Sequence, residues 1–161
     1  MEIVFNNKWK LWYHHNKKAW NISDYKMIYT ISNIQDYWDF HNNLNIFNGI
    51  ISQHFFLMKD DIKPIWEDPL NKKGGCWSIK ISIEKSTDLW IKLSLYILGQ
   101  TFLTNNNDMI NGISISTKNN NYTIIKIWNN NNKINSIKLL PKDILNEFGF
   151  NIIYKSHIPE Y

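Results

Sequence analysis

Alternation of apolar and polar side chains over residues 77–83 (WSIKISI) is the feature that most restricts the fold of this chain. The apolar side chains of this segment fall on one side of an extended strand, while its two serines and Lys80 fall on the other. Antiparallel sheets commonly pack one face against a core and leave the other face polar. The pattern therefore predicts a strand of an antiparallel sheet that has one polar face.

Six further segments complete the predicted sheet, because they alternate or are rich in β-branched and aromatic residues. They are residues 9–13, 26–31, 53–58, 111–118, 122–128 and 150–154. The asparagine-rich turn between 118 and 122 predicts that the two segments around it form a hairpin. We therefore predict a mostly antiparallel sheet of about seven strands.

Three segments predict helices, all on the apolar face of the sheet because the opposite face is polar. Ser32 and Gln35 have the spacing of a capping box, which predicts a helix over residues 33–42. The longest helix is predicted over residues 88–103, with Asp88 at the positive end of its dipole. The last is predicted to begin near Pro141 and to end at Phe148. The fold class is α+β, in a single domain over residues 1–161.

Two apolar surfaces exceed what one core requires. A ten-residue helix cannot point Ile34, Trp38 and Phe40 at the same core, so the periodicity leaves open whether Trp38 is buried. In the longest predicted helix, Ile91 and Leu95 belong to a second apolar strip beside the strip that faces the sheet. This second strip is more hydrophobic surface than packing against the sheet requires.

The segment KPIWEDPLNKKGGCW (residues 63–77) predicts a ligand-binding loop. Pro64 and Pro69 bracket Trp66 and Glu67, and proline blocks helix formation on either side, so this pair is expected on a held, exposed loop. An exposed indole beside a carboxylate can bind a flat ring that carries N–H donors. The alternative is a core position for Trp66 and a solvated surface position for Glu67.

Composition bounds the class of function. Eight tryptophans among 161 residues are more than one core needs, so two or three are expected on a working surface, where bases stack on aromatic rings. A net charge of +4 permits a polyanionic partner without requiring one. Cys76 is alone, which excludes a disulfide framework and a cysteine-based zinc site. With no bilayer-length apolar run and no signal-peptide pattern, a cytoplasmic domain without cofactor, metal or membrane contact is expected.

The order of several motifs resembles that of the eukaryotic translation initiation factor 4E family, which binds the 5′ cap of messenger RNA. The motifs are WKLWY, ISNIQDYWDFHN, FFLMKDDIKPIWED, NKKGGCW, DLWIKLSLYILGQTF, NGISIS, IIKIW and IIYKSH. The resemblance implies a curved sheet shaped like a cupped hand, with three helices on its convex face and the 7-methylguanosine cap in its concave face. It places the tryptophans that sandwich the base at Trp20 and Trp66. It places the acid that reads the guanine edge at Glu67, and a tryptophan near the methyl group at Trp128.

The same resemblance assigns the phosphate contacts, with two departures from the family pattern. The basic residue at the end of the NGISIS strand is Lys118. A family arginine is Cys76 here, and a family lysine of the hairpin is Ile124. Lys126 and Lys73 are the expected substitutes. A region near the second nucleotide is assigned to Ser156 and His157.

A protein-binding surface on the convex side is also implied. It comprises Ile34, Trp38, Ile91, Lys92, Leu95 and Gly99. Lys92 replaces an acid of the family, and Ile3-Val4-Phe5 replaces a His-Pro-Leu segment. We therefore expect a 4G-like scaffold, or a 4E-binding protein, whose linear motif differs near its basic position. The long N-terminal tail of many family members has no counterpart here, and the loop that carries Trp20 is shorter.

Four functions stay open at this point. The first is an initiation factor that binds capped messenger RNA and recruits a scaffold, and the second is a cap-binding repressor or decoy. A functioning convex surface would favour the first. The third is a cap-processing enzyme, for which the sequence shows no catalytic or metal-binding set, and the fourth is a general single-strand binder. The composition and the altered partner surface suggest a divergent member, of viral or protist source.

Overall fold

The computed structural model describes residues 2–15, 19–119 and 121–158, and within them seven strands form one antiparallel sheet. The strands are β1 (Val4–His14), β2 (Tyr25–Asn33), β3 (His54–Lys59), β4 (Gly75–Ser82), β5 (Ile110–Lys118), β6 (Tyr122–Asn129) and β7 (Ile152–Ser156). Their order across the sheet is β2-β1-β3-β5-β6-β4-β7. This confirms the predicted sheet. However, the last strand begins at Ile152 rather than at Phe150, because Gly149–Asn151 forms a 3-10 turn.

Three helices pack on the same face of the sheet, as predicted. They are α1 (Ile34–Asn42), α2 (Ile83–Leu98) and α3 (Lys142–Phe148). Tyr37 of α1, Trp90 of α2 and Ile144 of α3 all belong to one buried cluster, which also contains Ile79 and Ile113 of the sheet. None of the described helices is long and apolar enough to cross a bilayer. The helices therefore serve one core, and the face that they cover is called the convex face.

A second, smaller cluster lies on the opposite, concave face. It contains Phe56, Met58, Ile62, Cys76 and Trp128. Alternation along the strands creates the two clusters: Phe55 of β3 faces the helices, and its neighbour Phe56 faces the concave side. This explains why residues 54–58 are all buried. The concave face is thus apolar at its centre, and candidate site residues surround that centre.

The N-terminal cap of α1 differs from the prediction. Asn33, not Ser32, is the N-cap: its side chain accepts a hydrogen bond from the backbone N–H of Asp36 at 2.8 Å. The Asp36 carboxylate in return accepts one from the backbone N–H of Ser32 at 2.8 Å. Gln35, the predicted partner of Ser32, instead donates to Asp39. The cap is therefore one residue later than predicted: Asn33 satisfies the N–H of Asp36, and Asp36 satisfies the N–H of the residue before the cap rather than that of the cap itself.

The predicted limits of α2 are wrong, whereas α3 begins next to Pro141 and ends at Phe148, as predicted. Helix α2 begins at Ile83 rather than at Asp88, so Glu84 is the acid of its first turn. It ends at Leu98 rather than at residue 103, and Gln100 then adopts a left-handed conformation (φ 56°). Pro141 precedes α3 as its N-cap instead of occupying the first helical position. Strand alternation up to residue 83 concealed the start of α2, since Ile83 fits both periods.

Side chains at the α1–α2 contact fix these helices to each other. The Tyr37 hydroxyl is 2.7 Å from the Ser94 hydroxyl, and Trp90 Nε1 donates to His41 Nε2 at 3.1 Å. His41 Nδ1 donates in turn to the carbonyl oxygen of Tyr37 at 2.8 Å. Burial lowers the pKa of His41, which keeps the acceptor nitrogen available to Trp90. The relative position of α1 and α2 on the convex face is therefore fixed by buried polar contacts.

Candidate functional site

The floor of the candidate site lies on the concave face of the sheet, near the end of β6. Trp128 is almost fully buried, and its Nε1 donates to Ser114 Oγ of β5 at 3.1 Å. The rings of Phe56 and His157 approach its indole edge to face, with centroids 6.4 Å and 5.3 Å away. These contacts hold Trp128 in one orientation as part of a rigid floor.

The loop between β3 and β4 exposes Trp66 and Glu67 to solvent, as expected from the two prolines around them. Trp66 is 51 % exposed, and Glu67 is exposed as well. Asp68 does not face a ligand: its carboxylate accepts hydrogen bonds from the backbone N–H groups of Lys63 and Leu70, both at 2.9 Å. The indole and the carboxylate are therefore presented by a loop whose turn is closed by its own aspartate.

Two buried asparagines that the sequence analysis missed anchor this loop to the sheet. Asn71 is fully buried, and its Nδ2 donates to the carbonyl oxygens of Lys63 at 2.9 Å and Ile65 at 2.8 Å. Its Oδ1 accepts from Asn111 Nδ2 of β5 at 2.9 Å, and Asn111 also donates to the carbonyl oxygen of Leu70. In the sequence, Asn71 is followed by two lysines and two glycines, a pattern that by itself predicts only a turn. The loop geometry thus depends on amides distant in sequence.

Trp20 lies against a histidine of the first strand. Its ring is stacked on that of His14, with centroids 4.1 Å apart and an angle of 8° between the planes. His14 Nε2 donates to the carbonyl oxygen of Ala19 at 2.9 Å, which ties the end of this loop to β1. Trp20 remains 56 % exposed. Residues 16–18 of the same loop lie outside the described residues. Trp20 therefore has one ring face covered by His14 and much of its surface available.

Six of the predicted binding residues line one cavity of about 360 Å³ on the concave face. They are Trp20, Trp66, Glu67, Lys118, Lys126 and Trp128. Ile124 also lines it, as do other residues that the sequence analysis did not name in connection with the site. Among these others are Tyr25, Phe56, Ser114 and Ser116. The structure thus brings together residues that are up to 108 positions apart in the chain, from Trp20 to Trp128.

Three predicted residues lie outside that cavity lining. Lys73 is exposed on the turn before β4. Ser156 accepts hydrogen bonds from Asn132 Nδ2 at 3.0 Å and from the backbone N–H of Ile158 at 3.1 Å. His157 Nδ1 donates to the carbonyl oxygen of Asn71 at 2.8 Å, beneath Trp128. Their assignment to phosphates or to a second nucleotide stays a prediction.

Charge in the cavity is divided between an acid and two lysines. Burial and the charge of Glu67 raise the pKa of Tyr25, another lining residue, to about 12. Burial and the nearby Lys126 lower the pKa of Lys118. An anion placed between these two lysines would relieve their repulsion. One part of the cavity therefore suits hydrogen-bond donors or a cation, and the other suits an anion.

His54, beside Trp20, does not add a third cation. Burial, Lys118 and His14 lower its pKa to about 4, so it is neutral near pH 7. Its ring centroid is 4.8 Å from that of Trp20 and 5.8 Å from that of His14. The rings around Trp20 therefore form an aromatic support in which His54 adds no positive charge near pH 7.

Cys76 occupies a position that cannot bind an anion. It is buried next to His157, with Sγ 3.3 Å from His157 Nε2. Because His157 Nδ1 donates to a carbonyl and burial lowers the pKa of this ring, Nε2 accepts and the thiol donates. Burial raises the pKa of the Cys76 thiol to about 12, so the sulfur stays protonated. The floor thus lacks a basic group here, as expected from the sequence.

On the convex face, the residues predicted to bind a partner lie on or next to α1 and α2, the two helices joined by hydrogen bonds. Trp38 is 38 % exposed, which settles the position that periodicity left open. Ile34, Ile91 and Leu95 are half-buried, and Gly99 is the exposed C-cap of α2. Whether they bind a partner stays a prediction.

Lys92 has a partner within the chain. Its Nζ is 2.5 Å from an Asp143 carboxylate oxygen of α3, and the Tyr96 hydroxyl lies 3.1–3.2 Å from both oxygens of that carboxylate. These contacts lower the pKa of Asp143, chiefly through the hydrogen bond from Lys92. The positive charge at this position of the convex face is therefore partly balanced by an acid from the neighbouring helix.

The family model described as "Eukaryotic initiation factor 4E" matches residues 4–160, nearly the whole chain. The chain belongs to the eukaryotic initiation factor 4E family. No group of three or more metal-ligating side chains occurs among the described residues.

Relatives within the initiation factor 4E family are about one-third identical to this chain over the segments that match. It is 33 % identical to eukaryotic translation initiation factor 4E1 of Drosophila melanogaster over 129 residues, which cover 76 % of this chain and 48 % of that protein. It is 31 % identical to initiation factor 4E-1A of Danio rerio over 120 residues, covering 70 % and 55 % respectively. The matched segment thus spans about half of these relatives.

Solved structures of the family have the same fold. Caenorhabditis elegans eIF4E-3, in complex with the 4E-binding protein Mextli and a cap analog, superposes with a TM-score of 0.82 at 23 % identity, covering 98 % of this chain and 94 % of that one. Ascaris suum eIF4E-3 with an m2,2,7G cap superposes with a TM-score of 0.80 at 24 % identity, covering 100 % and 94 %. The cupped sheet backed by three helices is therefore the family fold.

Proposed function

We propose that this 4E-family protein binds the 7-methylguanosine cap of messenger RNA in the concave cavity. The observation that carries the proposal is the cavity lining, in which two half-exposed indoles, one carboxylate and two lysines converge. In this proposal Trp20 and Trp66 hold the base between them, Glu67 reads its edge, and Trp128 lies near the methyl group. The complexes of the two nematode relatives with a cap analog and with an m2,2,7G cap support it.

The chemistry of the methylated base suits these residues. Methylation at N7 gives guanine a positive charge, so two indole faces attract it as a cation as well as by stacking. A base stacked on an aromatic ring gains about 1–3 kcal/mol, and a desolvated cation–π contact adds about 2 kcal/mol. A Glu67 carboxylate can accept two N–H bonds from the Watson–Crick edge of guanine, which adenine does not offer. The site would therefore select both the methyl group and the base.

Phosphate binding falls on Lys118 and Lys126 in this proposal. Both line the cavity, and the lowered pKa of Lys118, caused by burial and by Lys126, shows that a cation there is costly without an anion. Lys73 does not line the cavity. Neutral Cys76 and Ile124 add no charge where the family carries basic residues. Two lysines would thus carry the contacts to the triphosphate.

A titration with cap analogues tests the proposed function. We expect 7-methylguanosine triphosphate to bind about 100- to 1,000-fold more tightly than guanosine triphosphate, because the unmethylated base forfeits the cation–π attraction to both indoles, about 1.5–2 kcal/mol each. Calorimetry measures both affinities, with 7-methylated inosine triphosphate, which lacks one edge N–H donor group, as a control for Glu67. Equal binding of the methylated and unmethylated nucleotides would overturn the proposal and would favour a general single-strand binder.

We further propose that the protein is a binding protein of the cytoplasm rather than a cap-processing enzyme. Membership of an initiation factor family supports this. Release of 7-methylguanosine nucleotides from capped RNA, dependent on added divalent metal and on the intact cavity, would contradict it.

The proposed protein partner is a scaffold of the 4G type or a 4E-binding protein, docked on the convex face. The complex of Caenorhabditis elegans eIF4E-3 with the 4E-binding protein Mextli supports this choice. Exposed Trp38 and half-buried Leu95 offer apolar surface on two helices fixed to each other. A scaffold that brings capped RNA to the ribosome makes the protein an initiation factor, while a partner that blocks the scaffold would make it a repressor.

The charge at position 92 is expected to alter the choice of partner. A standard motif of the Tyr-x-x-x-x-Leu-apolar form with a basic residue near Lys92 would meet a like charge. We expect Lys92→Glu to raise the affinity for such a peptide by about tenfold, because the repulsion between Lys92 and the basic residue of the peptide is replaced by a surface ion pair. Lys133→Glu, the same charge change on an exposed loop, should have no effect. Peptide binding is measured by fluorescence anisotropy; tight binding to the unaltered protein without improvement in Lys92→Glu would contradict this expectation.

A further inference from the structure

Beyond the cavity, the concave face continues across β4 and β7. Strand pairing puts Lys126 of β6 opposite Ser78 of β4, and Ser78 opposite Ile153 of β7. Lys80 lies two residues along β4 from Ser78, and Lys155 lies two residues along β7 from Ile153, so all five share one face. Ser78, Lys80, Ile153 and Lys155 are called the β4–β7 strip. None of the four lines the cavity.

The strands on this side of the concave face carry charge of one sign. The concave positions of strands β4 to β7, all within the described residues, hold four lysines and no carboxylate. The lysines are Lys80, Lys118, Lys126 and Lys155. A surface that serves solubility alone usually mixes both signs. Lysines clustered on one face without acids are instead the electrostatic pattern of a surface that binds a polyanion.

The strip is accessible and its two lysines are not neutralised. Lys80 and Lys155 are exposed, and neither is in an ion pair among the described residues. Lys80 Nζ lies 4.1 Å from the centroid of the Tyr122 ring, a cation–π contact that keeps the ammonium group close to the sheet. Ile153, between the two lysines, is 67 % exposed. It offers an apolar surface on which a ribose or a base can pack.

We infer that the β4–β7 strip binds the RNA chain that follows the cap, with Lys80 and Lys155 contacting its phosphates. This inference rests on the proposed function, because the cap fixes the start of the chain in the cavity. The cavity ends at β6, where Lys126 lines it. Neighbouring strands are about 4.8 Å apart and alternate residues about 6.8 Å apart, so the backbones of Lys80 and Lys155 lie about 8 Å and 12 Å from that of Lys126. The first nucleotides after the cap span such distances.

The chemistry of the strip predicts binding without sequence preference. Lysine ammonium groups contact phosphates as point charges, and the strip carries no arginine, asparagine or glutamine that could read a base edge. Affinity should therefore depend on salt and on the presence of downstream nucleotides, but little on their bases.

The test compares two ligands of the full chain. One is 7-methylguanosine triphosphate, and the other is a capped RNA of about eight nucleotides, within the usual site size of a single-strand-binding domain. Each phosphate contact to a single strand contributes about fivefold in affinity near 0.1 M salt. Replacing both lysines (Lys80→Gln with Lys155→Gln) should therefore weaken binding of capped RNA by about 10- to 25-fold and reduce the salt slope by about 1.4. The affinity for the mononucleotide should not change.

Matched variants separate this role from a general loss of charge. Lys85→Gln with Lys142→Gln removes two exposed lysines from α2 and α3 and should leave both affinities unchanged. Lys80→Arg with Lys155→Arg should retain the tighter binding of capped RNA. Lys118→Ala with Lys126→Ala should weaken both ligands, since these lysines line the cavity.

Two results would overturn the inference and leave the proposed function intact. One is capped RNA that binds the unaltered protein no more tightly than the mononucleotide. The other is a doubly substituted protein, with the thermal stability of the unaltered one, that keeps the full gain from downstream RNA. Failure of both ligands to bind the unaltered protein would instead overturn the proposed function, and the inference with it.

Discussion

Replacing Trp66 with alanine is expected to weaken binding of 7-methylguanosine triphosphate by roughly 100- to 4,000-fold. One lost base stack is worth about 1–3 kcal/mol and one lost cation–π contact about 2 kcal/mol, and every 1.4 kcal/mol is about tenfold in affinity. The fold should be unaffected, because Trp66 is 51 % exposed on a loop held by other side chains. Calorimetric titration and thermal unfolding measure the two properties separately.

The control for this substitution is Phe150→Ala. Phe150 is an exposed aromatic residue on the turn before β7 and does not line the cavity, so its loss should change neither affinity nor fold. A Trp66→Ala protein that binds the methylated cap within about threefold of the unaltered one would show that the indole contributes no stacking energy of the size given above. The base would then have to bind elsewhere on the concave face.

The second large effect is expected for Asn71→Ala, in both stability and cap binding. The substitution removes the donor to the carbonyl oxygens of Lys63 and Ile65, and one acceptor of Asn111 Nδ2, in a fully buried position. A buried polar group left without a partner costs about 1–3 kcal/mol, so we expect the free energy of unfolding to fall by about 2–4 kcal/mol. The loop that carries Trp66 also loses its fixed geometry, so cap affinity should fall by about tenfold or more under conditions where the protein stays folded.

Urea unfolding and calorimetry measure these two effects of Asn71→Ala. Asn105→Ala is the control, since Asn105 is exposed and contacts only the neighbouring Asn106 side chain among the hydrogen bonds described. Asn111→Ala should reproduce part of the loss, because it removes the other amide of the pair. An Asn71→Ala protein with unchanged stability and unchanged cap affinity would show that the buried amides do not hold the loop.

The roles of Asp68 and Asn71 show where sequence reasoning succeeded and where it stopped. Two prolines act on their own backbone and their neighbours, so the exposed loop around Trp66 could be predicted locally. The Asp68 carboxylate, next to Glu67, closes the turn by accepting from the backbone N–H groups of Lys63 and Leu70, which the sequence analysis did not predict. Asn71 looked like a turn residue because its partner, Asn111, is 40 positions away. Asn71 is buried because the loop packs against β5, and the loop sequence alone does not show that contact.

The predicted limits of α2 and the predicted cap of α1 were wrong for a related reason. Hydrophobic periodicity predicted that three helices exist and that they cover one face of the sheet, because both statements depend on many side chains. The first residue of α2 depends on where the strand before it stops, and Ile83 fits the period of either element. Capping of α1 by Asn33 rather than Ser32 is likewise a choice between adjacent residues of similar capping strength.

The sequence by itself determined the family, the seven-stranded sheet with helices on one face, the exposed Trp66–Glu67 pair and the loss of a basic residue at Cys76. These follow from local spacing, from residue type and from the order of motifs, all of which are written along the chain. Only the tertiary structure decided that Trp20 stacks on His14, that Lys92 pairs with Asp143, and that Lys80 and Lys155 share a face with Lys126. Such contacts depend on strand register and helix packing, which bring together residues far apart in sequence.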